Sequence, residues 1–384
     1  MYNYIPLEQA ADILDSYRKP VNSKERLNLI KGKPLDELFP YYGATGQVGW
    51  IDSFLTDGEY ILLGEDGAPF LNPYAEKAYI IYGKTWVNNH AHILRSKTNN
   101  EFLCYYLNYF NYKNYVSGTT RLKLTQAQMR KIPIPNIPSD EQSRIVAHIE
   151  ELFSELDKAI DTLKTTKEQL EVYRQAVLKD AFSCLPETVE MDKIADMIDP
   201  QPSHRTPPEY ENGIPYIGIG DIDYQNKKIN FEDARKISPE VLDEHLHRYT
   251  IHKGDFVMGK IGTIGKPYKI PDEQNYTLSA NVILIQPNKE KIYPEFLFWQ
   301  FSSSLVTKQL TLGAKATSQP AFGIKKARLL SIKICELEKQ FKIIKRLEAE
   351  MSCCDNIEKT VDTALVQADA MRQSILKQAF EGAL

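Results

Sequence analysis

A chain of 384 residues with 42% hydrophobic and 26% charged side chains has material for two cores, which excludes fibrous and disordered classes. The formal net charge of −4 excludes a uniformly basic nucleic-acid coat, and no apolar run reaches the roughly 18 residues of a membrane-crossing helix. The five cysteines (104, 184, 335, 353, 354) form no CxxC pair, and the opening stretch MYNYIPLEQAADILD carries acids where a secretory leader needs a basic start, so reduced thiols and a cytoplasmic location are expected.

In chain order, residues 1–138 read as a first head. Strand-like runs at 59–63 and 78–82 are broken by Gly, Pro and Asn, and a helix is expected around 101–115. The loop Tyr41 to Gly49 is Gly-rich and bears aromatics, with Tyr42, Gly43, Thr45 and Gln47 placed where a backbone approaches a ligand closely. A basic segment follows at Gly118–Lys123, with Arg121 and Lys123 among glycine and threonine. Singly, each of these stretches reads as a turn or a solvated loop.

Residues 139–185 read as one long helix. A 4,3 alternation selects Ile145, Ile149, Leu152, Leu156, Leu163, Leu170, Tyr173 and Val177, with Ala159, Thr166 and Asp180 completing eleven positions. About five heptads without proline or glycine fit a coiled-coil seam better than a surface helix. Residues 186–336 read as a second head with strand-like runs at 255–258 and 281–285 and a helix around 294–309. Residues 337–384 repeat the long helix, its seam selecting Ile343, Leu347, Ile357, Val361, Met371 and Ile375.

The repetition is the strongest feature. Gln142/Gln340, Asp157/Asp355, Arg174/Arg372 and Phe182/Phe380 are matched at a constant offset of 198 residues without a gap. The heads repeat more loosely: residues 7–15 resemble 191–199, 60–67 resemble 255–262, and 88–94 resemble 279–285. The second basic segment, containing Lys315, Ser318 and Gln319, stands before the second helix as the first stands before the first. Recurrence at matched places favours a functional role over a solvated loop. A compact second head brings the chain back near where it left the first helix, so the two helices are expected to run antiparallel as a pseudo-dyad pair. The two heads are then expected at opposite ends of a rod.

Charge is unevenly divided. Residues 142–185 carry 6 basic against 8 acidic groups and residues 336–384 carry 7 against 9, and the remainder is neutral at 34 of each. The helices are thus poor phosphate grippers, and any nucleic-acid contact rests on local clusters or on a basic partner. Catalytic tools do not surface. Gly265-Lys266 lacks the leading glycine of a phosphate loop, Asn72-Pro73-Tyr74 lacks the second proline of an adenine methyltransferase motif, and the histidines have no metal spacing. No metal ligand and no catalytic residue is expected.

The segments PYYGATGQVGWID, LLGEDGA, NNHAHILR, IPIPNIPSDEQSRIVAHIEELF and YRQAVLKDAF resemble the specificity subunit of a type I restriction–modification system. So do IPYIGIGDID, VMGKIGTIGK and SILKQAFEGAL, and the resemblance covers essentially the whole chain. It implies an α+β fold in which two α/β target-recognition domains are separated by two long antiparallel coiled-coil helices with internal pseudo-twofold symmetry. It further implies a non-catalytic protein that binds double-stranded DNA at a bipartite asymmetric site. Two modification subunits would methylate adenine with S-adenosylmethionine, and two restriction subunits would use ATP and magnesium. The candidate DNA contacts are then Tyr42, Gly43, Thr45, Gln47, Asp66, Asn88, Asn89, Arg121 and Lys123 in the first head. In the second they are Gly220, Asp221, Lys260, Thr263, Asn281, Lys315, Ser318 and Gln319. The helix pair would act as a ruler, one turn adding about 6 Å, nearly two base-pair steps. Two readings stay open beside this one: a scaffold with two ligand- or protein-binding heads, and the specificity part of a single-chain restriction–methylation enzyme.

Overall fold

The computed structural model describes residues 3–261, 263–314 and 321–381. Contacts divide the chain into two compact units, Met1–Thr165 with Val361–Leu384, and Thr166–Thr360. Each unit is a head together with half of each long helix.

In the first unit, the runs Tyr60–Gly64 and Ala91–Ser96 are apolar on both faces, and Ile61, Leu62, Leu63, Ile93 and Leu94 are fully buried. Such runs become the centre of a sheet rather than its edge. The sheet is antiparallel in the order Ala11–Ile13, Ala91–Ser96, Tyr60–Gly64, Ala78–Ile81. A second sheet runs Gly46–Ile51, Phe39–Gly43, Lys84–Val87, Thr56–Asp57, with Phe39–Gly43 and Lys84–Val87 parallel. The helix Asn100–Tyr109 packs Phe102, Leu103, Tyr106 and Leu107 on the same core, and the Asn99 side chain caps it by accepting from the Phe102 N–H at 2.8 Å.

The second head has the same plan. Its antiparallel sheet runs Ala195–Ile198, Val282–Pro287, Phe256–Gly259, Pro267–Lys269. Its second sheet runs Lys236–Ile237, Ile214–Ile217, Thr277–Leu278, the last two again parallel. In each head a two-stranded pair closes the base, Tyr4–Pro6 with Pro133–Pro135 and Glu187–Glu190 with Ser331–Ile334.

Ser139–Ser183 and Leu337–Glu381 are uninterrupted helices of 45 residues each. The matched glutamines tie each start to its head. Gln142 donates to the Ile137 carbonyl at 3.0 Å and accepts from Thr98, while Gln340 donates to the Cys335 carbonyl at 2.7 Å and accepts from the Tyr293 N–H. Within the second unit, Asp180 meets Arg346, Arg174 meets Asp355, and Lys167 meets Glu358, so the helical segments there run antiparallel. Within the first unit, Arg372 pairs with Asp157 and stacks over Phe153, and Ile149 shares the head core with Leu376, Ala379 and Phe380. The two arginines and two aspartates are repeat mates, so each unit holds its own copy of one bond.

The seam differs from the expected one in phase. Buried and half-buried positions run Ile149, Phe153, Leu156, Ile160, Leu163, Lys167, Leu170, Arg174, Val177, Ala181. In the second helix they run Leu347, Met351, Cys354, Glu358, Val361, Leu365, Ala368, Arg372, Ile375, Ala379. Every seventh expected residue keeps its place, and Ile145, Leu152 and Ile343 are half-buried beside the seam. The intervening positions fall one residue later, leaving Tyr173, Ile357 and Met371 exposed at 48%, 40% and 55%. Phe153, Ile160, Met351 and Leu365 fill four of these later positions, and arginines fill two. Arg174 and Arg372 lay their methylene stems in the seam and reach carboxylates across it, Arg174 at 2.7 Å from Asp355 and 2.9 Å from Glu358. All five cysteines are free, and burial pushes the Cys104 thiol up to about 12.

Candidate functional site

The first head builds its site on a tight hairpin. Phe39–Gly43 and Gly46–Ile51 pair antiparallel around Ala44-Thr45, and Gly46 sits at φ +123, a conformation that excludes most side chains. The hairpin borders a cavity of about 650 Å³ lined by Gly43, Thr45, Asp66, Asn88, His90 and Arg121 among others. Five expected residues, Gly43, Thr45, Asp66, Asn88 and Arg121, are therefore brought to one place. Asn88 is fixed through its backbone N–H to the Tyr42 carbonyl at 3.1 Å, and its side-chain oxygen accepts from the His90 N–H at 2.8 Å. Tyr42 packs its ring on Tyr79, whose hydroxyl donates to the Gly43 carbonyl at 2.5 Å. Gln47 is exposed on the hairpin and donates to the Gly49 carbonyl, and Asn89 is exposed beside His90.

Beneath this surface lies a charged cluster that sequence reasoning missed. Asp15 accepts from His92 at 2.7 Å, Gln126 at 2.7 Å and the Ile93 N–H at 3.0 Å, and pairs with Arg18 at 3.0 Å. Burial alone would raise the Asp15 carboxyl, but the His92 and backbone hydrogen bonds hold it below its ordinary value. His92 is fully buried, and its other ring nitrogen faces the Leu124 carbonyl at 3.0 Å. Glu65 is held by Arg18 and by Lys123 at 3.3 Å, and Asp66 by Arg121 at 2.7 Å. Both expected cations, Arg121 and Lys123, are thus paired to adjacent acids. At the matched places of the repeat, Asp15 corresponds to Asp199 and Glu65 to Lys260, which pair with each other in the second head.

In the second head, Gly218 donates its N–H to Asp221 at 2.7 Å, and Ile219 donates to the Asn281 side chain at 3.1 Å. A Cβ on Gly218 would stand 2.9 Å from the side chains of Asn281 and Ser279, so a larger residue there would make these two side chains move. Asp221 and Asn281 come together here, with Gly220 open to solvent beside them. The Thr263 carbonyl lies against Gly259, where a Cβ would meet it at 1.6 Å. Lys260 corrects its expected role. It is 7% exposed, and its ammonium is held by Asp199 at 2.5 Å, so it supports the site from below and does not project. The expected contacts Lys315, Ser318 and Gln319 lie outside the described residues.

A second unforeseen network anchors the loop after Asp199. Gln201 donates to Ser203 and to the Arg205 carbonyl, both at 3.1 Å, so its side-chain oxygen must accept from His245 at 2.8 Å. The other ring nitrogen of His245 then accepts from Thr277, which also bonds Tyr249 at 2.8 Å. His245 is fully buried, and burial lowers its pKa from the ordinary value. Among the described residues no helix is long and apolar enough to cross a membrane, and no cluster of metal-ligating side chains is formed.

A family model described as the type I restriction modification DNA specificity domain matches residues 9–172 and again 186–366. A putative type I restriction enzyme specificity subunit of Haemophilus influenzae, S.HindORF215P, is 29% identical over 310 residues, covering 76% of this chain and 74% of that one. The EcoBI specificity subunit of Escherichia coli is 25% identical over 295 residues, covering 70% of this chain and 62% of that one. A solved structure described as the basis of complex assembly and conformational transition of the type I R-M system shares the fold, with a TM-score of 0.70 at 16% identity over 100% of this chain and 98% of that one.

Proposed function

The chain belongs to the family of type I restriction–modification DNA specificity domains, of which it carries two copies, and from that premise we propose that it is the sequence-reading, non-catalytic subunit of a type I complex. Each head reads one half of a bipartite, asymmetric duplex site. The heads are residues 1–138 and 186–336, and the helices 139–185 and 337–384 set the gap between half-sites. Two modification subunits and two restriction subunits are its partners in the cytoplasm, and S-adenosylmethionine, ATP and magnesium belong to them. The observation that supports this best is duplication with divergence. The two heads share strand order and the glycine position beside the site, yet the side chains on that frame differ, Glu65 and His90 in one where the other has Lys260 and Asn281. A scaffold binding one ligand twice needs no such divergence; a reader of two unlike half-sites does.

The test is methylome sequencing of cells carrying this chain with its modification subunits. The expected motif has two half-sites and a fixed gap. Removing one heptad from each helix at matched places, Leu163–Gln169 and Val361–Gln367, shortens each by about 10.5 Å while keeping the seam. The gap should shrink by about three base pairs with both half-sites unchanged. An unchanged gap overturns the ruler, and the absence of any split motif overturns the recognition role.

A further inference from the structure

The first head presents an arginine held in a particular way. Arg121 Nε stands 2.7 Å from an Asp66 carboxylate oxygen as an ion pair, and among the described residues its two terminal nitrogens have no partner. The side chain is 60% exposed at the edge of the 650 Å³ cavity. The backbone enforces the arrangement. Gly67 donates its N–H to the Leu122 carbonyl at 3.0 Å, Leu124 donates to the Glu65 carbonyl at 2.8 Å, and Asp66 bridges to Lys123, so residues 65–67 and 122–124 form a short antiparallel ladder. Gly67 has φ +78, and a Cβ there would lie 3.2 Å from Arg121 Nε. Gly118 has φ +100, and a Cβ there would lie 2.4 Å from the Arg121 carbonyl. Gly67 thus makes room for the guanidinium and Gly118 for the Arg121 backbone, and one carboxylate stands beside Nε.

The geometry points to Arg121 as the reader of a guanine in the first half-site, with Asp66 and Gly67 as its positioning residues. This deepens the reading that the first head contacts DNA, and rests on it. A guanidinium paired on its Nε side keeps two parallel donors at its tip, and guanine is the base whose major-groove edge offers two acceptors, O6 and N7, side by side. Charge argues for a base edge over a phosphate. Phosphate contacts gain affinity by releasing counterions, which requires an uncompensated cation. The Asp66–Arg121 pair is neutral as a unit, and its carboxylate repels an approaching phosphate. A neutral, directional pair has little to give a backbone contact and much to give a hydrogen-bond match.

The experiment uses the full chain assembled with its modification subunits. The target is taken from the methylome, and duplexes are made in which each base pair of the first half-site is replaced in turn. The wild-type complex is expected to reject replacement of one G·C pair by about 10- to 100-fold in binding. Arg121→Ala and Arg121→Lys should both lose that discrimination, at that pair alone, because lysine keeps the charge but not the fork. Asp66→Ala should reduce it while leaving Arg121 in place. The slope of log affinity against log salt should not change in Arg121→Ala. Retained discrimination by the second head in the same preparations shows that each variant is folded. Three results overturn the assignment: a first half-site with no G·C pair, full discrimination by Arg121→Lys, or a uniform loss in Arg121→Ala with the salt slope reduced by about 1, the mark of a phosphate contact. Failure of the underlying recognition reading looks different, since the wild-type complex would then show no preference at any base pair of either half-site.

Discussion

Replacing Phe380 by alanine should unfold the first unit selectively. The side chain is 3% exposed, and its ring lies 5.4 Å from Phe102, 5.2 Å from Tyr106 and 5.5 Å from Tyr109. Burying phenylalanine in a packed core and then truncating it costs about 3–5 kcal/mol. Three aromatic neighbours, each adding about 0.5–1.5 kcal/mol beyond area burial, place Phe380 at the upper end of that range. For a unit of this size the melting temperature falls roughly 2–4 °C per kcal/mol, so a drop on the order of 10–20 °C follows. The repeat mate Phe182 has a single ring partner among the described residues, Phe296 at 5.3 Å, and should cost about 3 kcal/mol in the second unit. Calorimetry of the full chain resolves two transitions if the units melt separately, and hydrogen exchange assigns them. Amides of Asn100–Tyr109 should lose protection in Phe380→Ala, and those of Pro294–Phe301 in Phe182→Ala. A shift below about 1 kcal/mol, or loss of protection in the opposite head, refutes the claim that each head's core is completed by the far end of the other repeat's helix.

His245 gives the second unit an acid limit. Its folded pKa is lowered by burial, with Arg248 adding to the fall and Glu244 opposing it, so the unfolded chain takes up the proton first. Stability is full above the unfolded value of about 6.5 and declines as pH falls from there toward the depressed folded value; urea unfolding followed by exchange at Thr277–Leu278 should show this slope, and His245→Gln should flatten it. The seam phase is separable by two lysines on the second helix: Met371→Lys at an exposed position should change stability by less than about 0.5 kcal/mol, while Ala368→Lys, 6% exposed, should cost several kcal/mol. Equal effects in thermal melts would restore the phase expected from hydropathy alone.

The repeat was legible because it is linear: a fixed offset needs no third dimension, and Gln142/Gln340 and Phe182/Phe380 take equivalent places in the two units. The strands at 60–64 and 282–287 were legible as apolar runs bounded by glycine and proline. The seam was legible only modulo seven. Hydropathy ranks Tyr173 above Arg174 and Met371 above Arg372, although the arginine stems are apolar and each guanidinium has a carboxylate waiting across the helix pair. In the site, glycines that shape the hairpin could be read from the chain, because a turn is local. The acids beneath it could not, since Asp15, Glu65 and His92 meet only when three strands and a loop are assembled. Lys260 misled for the same reason: an isolated lysine in a glycine-rich loop looks like a free cation until Asp199 is placed beside it.

That pairing bears on how a chain with net charge −4 recognises a polyanion. Lys123, Arg121 and Lys260 each face an acid at 3.3 Å or less, so little of their charge is available to attract phosphate from a distance. What the pairs supply is orientation. An arginine held beside a carboxylate before encounter loses less conformational freedom on binding than a free one. On this account the heads contribute discrimination, and the bulk of the counterion-release affinity is carried by basic surfaces of the partner subunits. The division has a measurable signature. The affinity of the isolated chain for its methylome-defined duplex should be weak and shallow in its salt dependence, and adding the modification subunits should steepen the slope while leaving the ranking of base substitutions unchanged. A steep slope for the chain alone would assign the cationic work to the heads after all.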